Sequence, residues 1–169
     1  SSLPPQNYSR RSVQAHDLVA LTSMSQGGFV QLVRRVGTAA SMKTLVECQM
    51  DEARAVFGAF AAGFYLLGRD EHAVEIHVAG LPDRFIDAYE RYGRAVDPLF
   101  EAVLADHEPV HERCLFQRED QWVGQPLFRR CSAEHDVGHY LLGPIVANGR
   151  LVGTMNFGRH LAERPFGES

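Results

Sequence analysis

The sequence predicts an α+β fold in which helices pack on an antiparallel sheet. Three observations carry this. Apolar residues recur at helical spacing before residue 58 and again between residues 83 and 106. Two paired segments, 59–78 and 137–157, instead show the continuous or alternating apolar pattern of strands. Each pair is joined by a short turn-forming stretch, so its strands run antiparallel. With 169 residues, 45% of them hydrophobic and 22% charged, the chain matches one domain able to bury a core without a disulfide or metal staple.

Residues 1–11, opening Ser1-Ser2-Leu3-Pro4-Pro5, have the bias of a disordered arm. Residues 12–40 read as two flanking helices parted near Gly27-Gly28. Val13, Leu18, Val19, Leu21 and Met24 lie mostly at helical spacing, and Phe29, Leu32, Val33 and Val36 repeat at i, i+3, i+4, i+7. The domain proper spans 41–169. Its first helix is expected to start at a capping box, Thr44 with Glu47, and to stop near Gly58. Ala59 to Leu67 reads as a buried strand, and Ala73 to Val78 as its hairpin partner with Glu75 and His77 on the exposed face.

Pro82-Asp83 opens a helix that sets Phe85, Ile86, Tyr89 and Tyr92 on one side and ends at Gly93. Asp97-Pro98 opens another, because the Asp side chain accepts from first-turn amides and Pro forfeits none there. Pro109-Val110 reads as a short edge strand, 112–124 as a loop, and Pro126 to Ala133 as a short helix. Two strands, Val137 to Val146 and Leu151 to Phe157, close the chain around Asn148-Gly149, a pair that tolerates the positive φ of a primed turn. The amino-terminal helices are expected on one face of the sheet and the central crossover on the other.

Seventeen Lys and Arg against 21 Asp and Glu give a net charge of −4, with no basic stripe, which excludes direct nucleic-acid binding. Cys48, Cys114 and Cys131, odd in number and irregularly spaced, predict thiols in a reducing compartment. The longest apolar stretch, Val56 to Leu67, is interrupted by Gly58 and Gly63 and falls short of the ~18–20 residues of a membrane span. With no signal peptide in evidence, a cytoplasmic protein without membrane contact is expected.

The run VGHYLLGPIVANGRLVGTMNFGRHLAERPF, residues 137–166, resembles the last two strands of GAF domains and the start of the linker that follows them. With the earlier helix, the hairpin and Gly80-Leu81-Pro82, the resemblance covers roughly residues 41–169. It implies a GAF/PAS-like sheet with a pocket enclosed by crossover helices. YERYGRAVDPLFEAV, residues 89–103, further resembles the sensor regions of LuxR-type bacterial transcription regulators, where a Tyr precedes Asp-Pro. That resemblance implies a small-molecule effector, a homodimer, and DNA contact only through a separate output domain. The Asn-Lys-Phe-Asp-Glu signature of cyclic-nucleotide GAF domains is absent. Of the Trp, Tyr, Asp, Trp series of acyl-homoserine-lactone receptors, only Tyr89, Asp97 and a displaced Trp122 remain.

The layer that encloses the ligand in GAF sensors corresponds here to Tyr89, Tyr92, Phe100, Phe116, Trp122, Phe128 and Tyr140, with polar groups such as Asp97 and His139 able to orient a ligand. As ligand-binding residues we take Tyr89, Tyr92, Asp97, Phe100, Phe116, Trp122, Phe128, Cys131 and His139. Each has a plainer reading: core aromatics, a buried thiol, and a helix cap for Asp97. His107-Glu108-Pro109-Val110-His111 matches the zinc-protease string, but Pro109 denies it the helix that would place both imidazoles on one face. Cys131, His135 and His139 stand four apart and would form a metal or haem stripe only in an unbroken helix. Arg129-Arg130 could favour a Cys131 thiolate, the basis of a redox alternative by resemblance to the GAF-like methionine sulfoxide reductases. The expected function is sensing without catalysis, metal or cofactor. The alternative is a ligand-free dimerisation module.

Overall fold

The computed structural model describes residues 42–167. The expected arm at 1–11 and flanking helices at 12–40 lie outside the described residues. Helix α1 spans Met42–Phe57. It is already helical at Met42, so Thr44 stands inside the first turn and not at its cap. Strand β1, Ala61–Leu67, and β2, Ala73–Ala79, form the expected hairpin. Strand β3 is only Val110–His111, while β4, His139–Ala147, and β5, Arg150–Arg159, form the second hairpin. Asn148 and Gly149 turn it with φ of 52° and 72°, the left-handed pair that a primed two-residue turn requires.

All five strands make one antiparallel sheet in the order β2-β1-β5-β4-β3. Strands β2 and β3 are consecutive in the chain yet occupy opposite edges. The segment between them must therefore cross the sheet's width, about 19 Å at the usual ~4.8 Å strand spacing. That crossover contains α2, Asp83–Ala88, and α3, Pro98–Asp106. After β3 come α4, Glu112–Leu115, and α5, Glu119–Val123, where a loop was expected. Helices of four and five residues are too short to repeat an apolar face, so periodicity cannot announce them.

The two faces of the sheet have separate cores. Ala62, Leu141 and Phe157 pack with Met50, Phe57 and Phe166, so α1 and the segment leaving β5 cover one face. Tyr65, Tyr140 and Leu142 point the other way, into a larger core with Phe85, Tyr89, Leu99, Trp122 and Leu127 from the crossover and the later helices. Alternation along β1 and β4 divides the residues between the layers.

The helix expected to end at Gly93 continues. Beyond α2 it widens into a π turn, Tyr89–Gly93, and tightens into a 3-10 turn, Arg94–Val96. The wider turn takes up an additional residue, so the position that returns to the inner face is Gly93 and not Tyr92. Tyr92 is accordingly 49% exposed, while Gly93 is buried. A second π turn, Phe128–Ser132, lies in the helical run 126–135 and packs against the first. A Cβ at Gly93 would stand 2.7 Å from Tyr89, 3.1 Å from Leu127 and 3.2 Å from Cys131, which explains glycine at this crossing.

Candidate ligand-binding site

A cavity of about 30 Å³ lies between sheet and crossover. Its walls include Tyr65 of β1, Phe85 of α2, Tyr89 of the π turn, Asp97, Tyr140 and Leu142 of β4, and Asn156 of β5. The volume admits ordered water and is far below the ~300–1,000 Å³ of a ligand pocket. A ligand of that size does not fit unless the walls rearrange.

Asp97 is the charged group of this wall. Its Oδ1 accepts from the Leu99 amide at 2.8 Å and the Phe100 amide at 3.1 Å, capping α3 as the sequence predicts, and its Oδ2 accepts from the Tyr89 hydroxyl at 2.7 Å. Burial pushes the carboxyl above the usual range, against the opposing pull of the Tyr89 hydroxyl, the two amides and nearby Arg94. Burial likewise raises the phenols of Tyr65, Tyr89 and Tyr140, so all three remain hydroxyl donors at neutral pH. The Tyr140 hydroxyl shares a 2.8 Å hydrogen bond with Ser132. Asn156 Oδ1 is buried and has no hydrogen-bond partner among the described residues.

Arg94 stands just outside this wall. Its guanidinium lies 5.2 Å from the ring centres of both Tyr65 and Tyr89 and 4.7 Å from that of Phe100. Glu90, one helical turn earlier, receives Nη2 at 2.5 Å and Nε at 3.1 Å. Only 10% of the Arg94 side chain is exposed.

Of the nine residues taken from the sequence, Tyr89 and Asp97 line the cavity. Phe100, Phe116, Trp122, Phe128 and Cys131 are buried in the core beside it, and Tyr92 faces outward. Trp122 packs against Phe116, Phe128 and Tyr140, and its indole N–H donates to the Gly138 carbonyl at 2.7 Å. The Cys131 thiol sits 3.6 Å from the Ala88 carbonyl. Burial and the Asp97 charge push it up against the pull of Arg130, opposite to the thiolate that the redox alternative needs.

His139 lies at the start of β4, away from His135, because Asp136 ends the helical run in the left-handed region. Its Nδ1 shares a 2.7 Å hydrogen bond with Glu112 Oε1, and its Nε2 lies 3.3 Å from the Leu161 carbonyl. Burial alone would depress the ring's pKa, but the Glu112 carboxylate and the carbonyls of Leu161 and Glu163 hold it above the ordinary value. Glu112 is 1% exposed and also accepts from the Tyr140 amide at 3.0 Å. His107 ends α3 with φ of 55° and His111 lies in β3, so the zinc-like string is not a helix. Among the described residues no group of three or more His, Cys, Asp or Glu is arranged to hold a metal ion.

Sequence reasoning passed over Glu112, Arg94, Asn156 and Arg159. The Arg159 guanidinium donates to the Phe57 carbonyl at 2.6 and 3.2 Å and to the Arg164 carbonyl at 3.0 Å, and lies 4.2 Å from the Phe166 ring. It therefore fastens the end of α1 to the segment leaving β5. Glu112 and Arg159 carry no local signal, because they bond to residues as far as 27 and 102 positions away.

No protein-family model matches the chain, and no curated protein sequence matches it. Solved structures do. The GAF domain/HD domain protein from Geobacter sulfurreducens is 14% identical, with 73% of this chain and 78% of that one covered and a TM-score of 0.54. The chain has a GAF-like fold. The N-acylhomoserine lactone dependent LuxR family transcription factor CepR2 from Burkholderia cenocepacia shares the GAF-like arrangement at 16% identity, 87% and 80% coverage and a TM-score of 0.55. The free methionine-R-sulfoxide reductase from Neisseria meningitidis, solved with its substrate, does so at 20% identity, 84% and 81% coverage and a TM-score of 0.51. At these identities the likeness is one of fold. Among the described residues no helix is long and apolar enough to cross a membrane.

Proposed function

We propose that the chain is the small-molecule-sensing domain of a LuxR-type bacterial transcription regulator, cytoplasmic and homodimeric. It takes a mainly apolar ligand between sheet and crossover and passes the change to a DNA-binding domain outside this chain. The observation that carries the reading is the cavity beneath the crossover, where the Asp97–Tyr89 pair is set among apolar walls. The solved GAF-like structures include a lactone-dependent regulator, which supports a sensory role over an interaction role. Binding acts by differential affinity for two packings of the crossover, and the cavity's small size makes the ligand-free packing the closed one. Asn156, Phe157 and Gly158 of β5 line the cavity, and the next residue, Arg159, grips α1 and the exit segment, giving a route from ligand to output.

Native mass spectrometry of the purified chain tests this. A dimer carrying an organic mass lost on denaturation is the expected result. A bare chain that no member of an apolar ligand library stabilises against heat would overturn it. The small cavity favours one second reading, a filled-core dimerisation module, which predicts that bare dimer. Reductase chemistry has no such support, because the Cys131 thiol is buried and its pKa raised.

A further inference from the structure

Three aromatic rings, Tyr65, Tyr89 and Phe100, surround the Arg94 guanidinium at 4.7 to 5.2 Å, within the ~6 Å over which a cation is attracted to a ring face. Two of these rings, Tyr65 and Tyr89, are also cavity walls. Asp97 and Asn156 line the same cavity; among the described residues the buried Asn156 Oδ1 has no hydrogen-bond partner and no Lys or Arg lines the cavity. These acceptors and ring faces form an electronegative recess whose nearby cation is Arg94. The cation beside it, Arg94, belongs to the protein and is held in place by Glu90.

From this we infer that Arg94 is the resident occupant of an aromatic cage, and that the effector carries a compact organic cation, an alkylammonium or guanidinium group, which displaces Arg94 and faces Asp97 and Asn156. This rests on the sensor reading above and names its ligand class. Displacement also explains how a cavity of about 30 Å³ can open. Arg94 lies in the 3-10 turn between the π turn and α3, so moving its side chain frees the part of the crossover that closes the cavity. Glu90, half-buried, is left to balance the incoming charge or to turn to solvent with Arg94.

The test uses the full chain and three probes: choline, its uncharged isostere with carbon in place of the ammonium nitrogen, and propylguanidinium, which copies the Arg94 side chain. Calorimetric titration should give binding of choline and propylguanidinium about tenfold tighter than of the isostere, and Arg94→Ala should tighten both cations about tenfold more than it tightens the isostere. In the Arg94→Ala background, Phe100→Leu should reverse much of that gain, because it removes a ring of the cage without touching the cavity lining; mere loss of a positive charge predicts no such reversal. Should Arg94→Ala fail to fold by circular dichroism, Glu90→Gln, which loosens Arg94 and keeps the cage, should still tighten both cations.

Equal binding of choline and its isostere would overturn the cationic class while leaving the sensor reading standing. Cation affinity unmoved by Arg94→Ala, or by Glu90→Gln where the first variant does not fold, would overturn the displacement. A chain that binds none of the probes yet retains an organic mass from its host would likewise sink the cation proposal alone.

Discussion

Asp97 serves two structures at once, as the cap of α3 and as the acceptor for Tyr89. Asp97→Ala removes both and should cost about 1–3 kcal/mol in urea unfolding. Asp97→Asn keeps the acceptor for Leu99 and Phe100 and removes the buried charge, so it should cost less. The sign follows from linkage. A carboxyl raised by burial contributes stability that is fully present below its ordinary value of about 3.9 and is lost as pH rises through the raised value. His139 runs in the same direction from a higher starting point. With its pKa held up, its contribution is fully present below about 6.5 and is lost as pH rises through the raised value. The melting temperature should therefore fall as pH rises above about 6.5, and His139→Gln should flatten that fall. A slope that persists in the variant would assign it elsewhere. Asp97 was legible as a cap because Asp-Pro is a local signal. Glu112 was not, because nothing near residue 112 marks a carboxylate whose partner is 27 residues away.

Among the elements, strands and long helices were readable because their patterns repeat within a few residues. The β4–β5 hairpin is the clearest case, with turn residues and alternation agreeing. The two π turns were not readable. An α-helical phase carried past Tyr89 places Tyr92 inside, and only the packing of Gly93 against Leu127 and Cys131 shows where the phase shifts. Arg159 makes several of the contacts that hold the segment leaving β5. It supplies hydrogen bonds to Phe57, Arg164 and Pro165, and the Phe166 ring lies beneath it. Arg159→Met retains an apolar stem and loses the donors. Limited proteolysis should then cut within residues 160–166 faster than in the wild type, while far-ultraviolet circular dichroism stays unchanged. Equal cutting rates would show that Phe166 and its neighbours hold the segment without the arginine.

Across the whole molecule, the sheet and its crossover differ in kind. The sheet is continuous, with β5 paired on both sides over most of its length, whereas the crossover is a chain of short helical pieces. Hydrogen exchange should accordingly be slowest in β1 and β5 and faster in residues 83–106, and a bound effector should slow the latter most. Uniform exchange across both layers would mean that the cavity opens only by global unfolding. The topology that creates the crossover was legible in outline, as two hairpins separated by helices. The strand order was not, because one sequence does not state which edges meet. The π turn at Tyr89–Gly93 also makes chain length a variable. Deleting one residue there would restore an ordinary helix and rotate everything upstream relative to Asp97. A different side chain would then face the sheet without any substitution at the wall. Relatives with the same fold could thus diverge in what they recognise through a single codon gained or lost, and an alignment that counts only mismatches would not register the change.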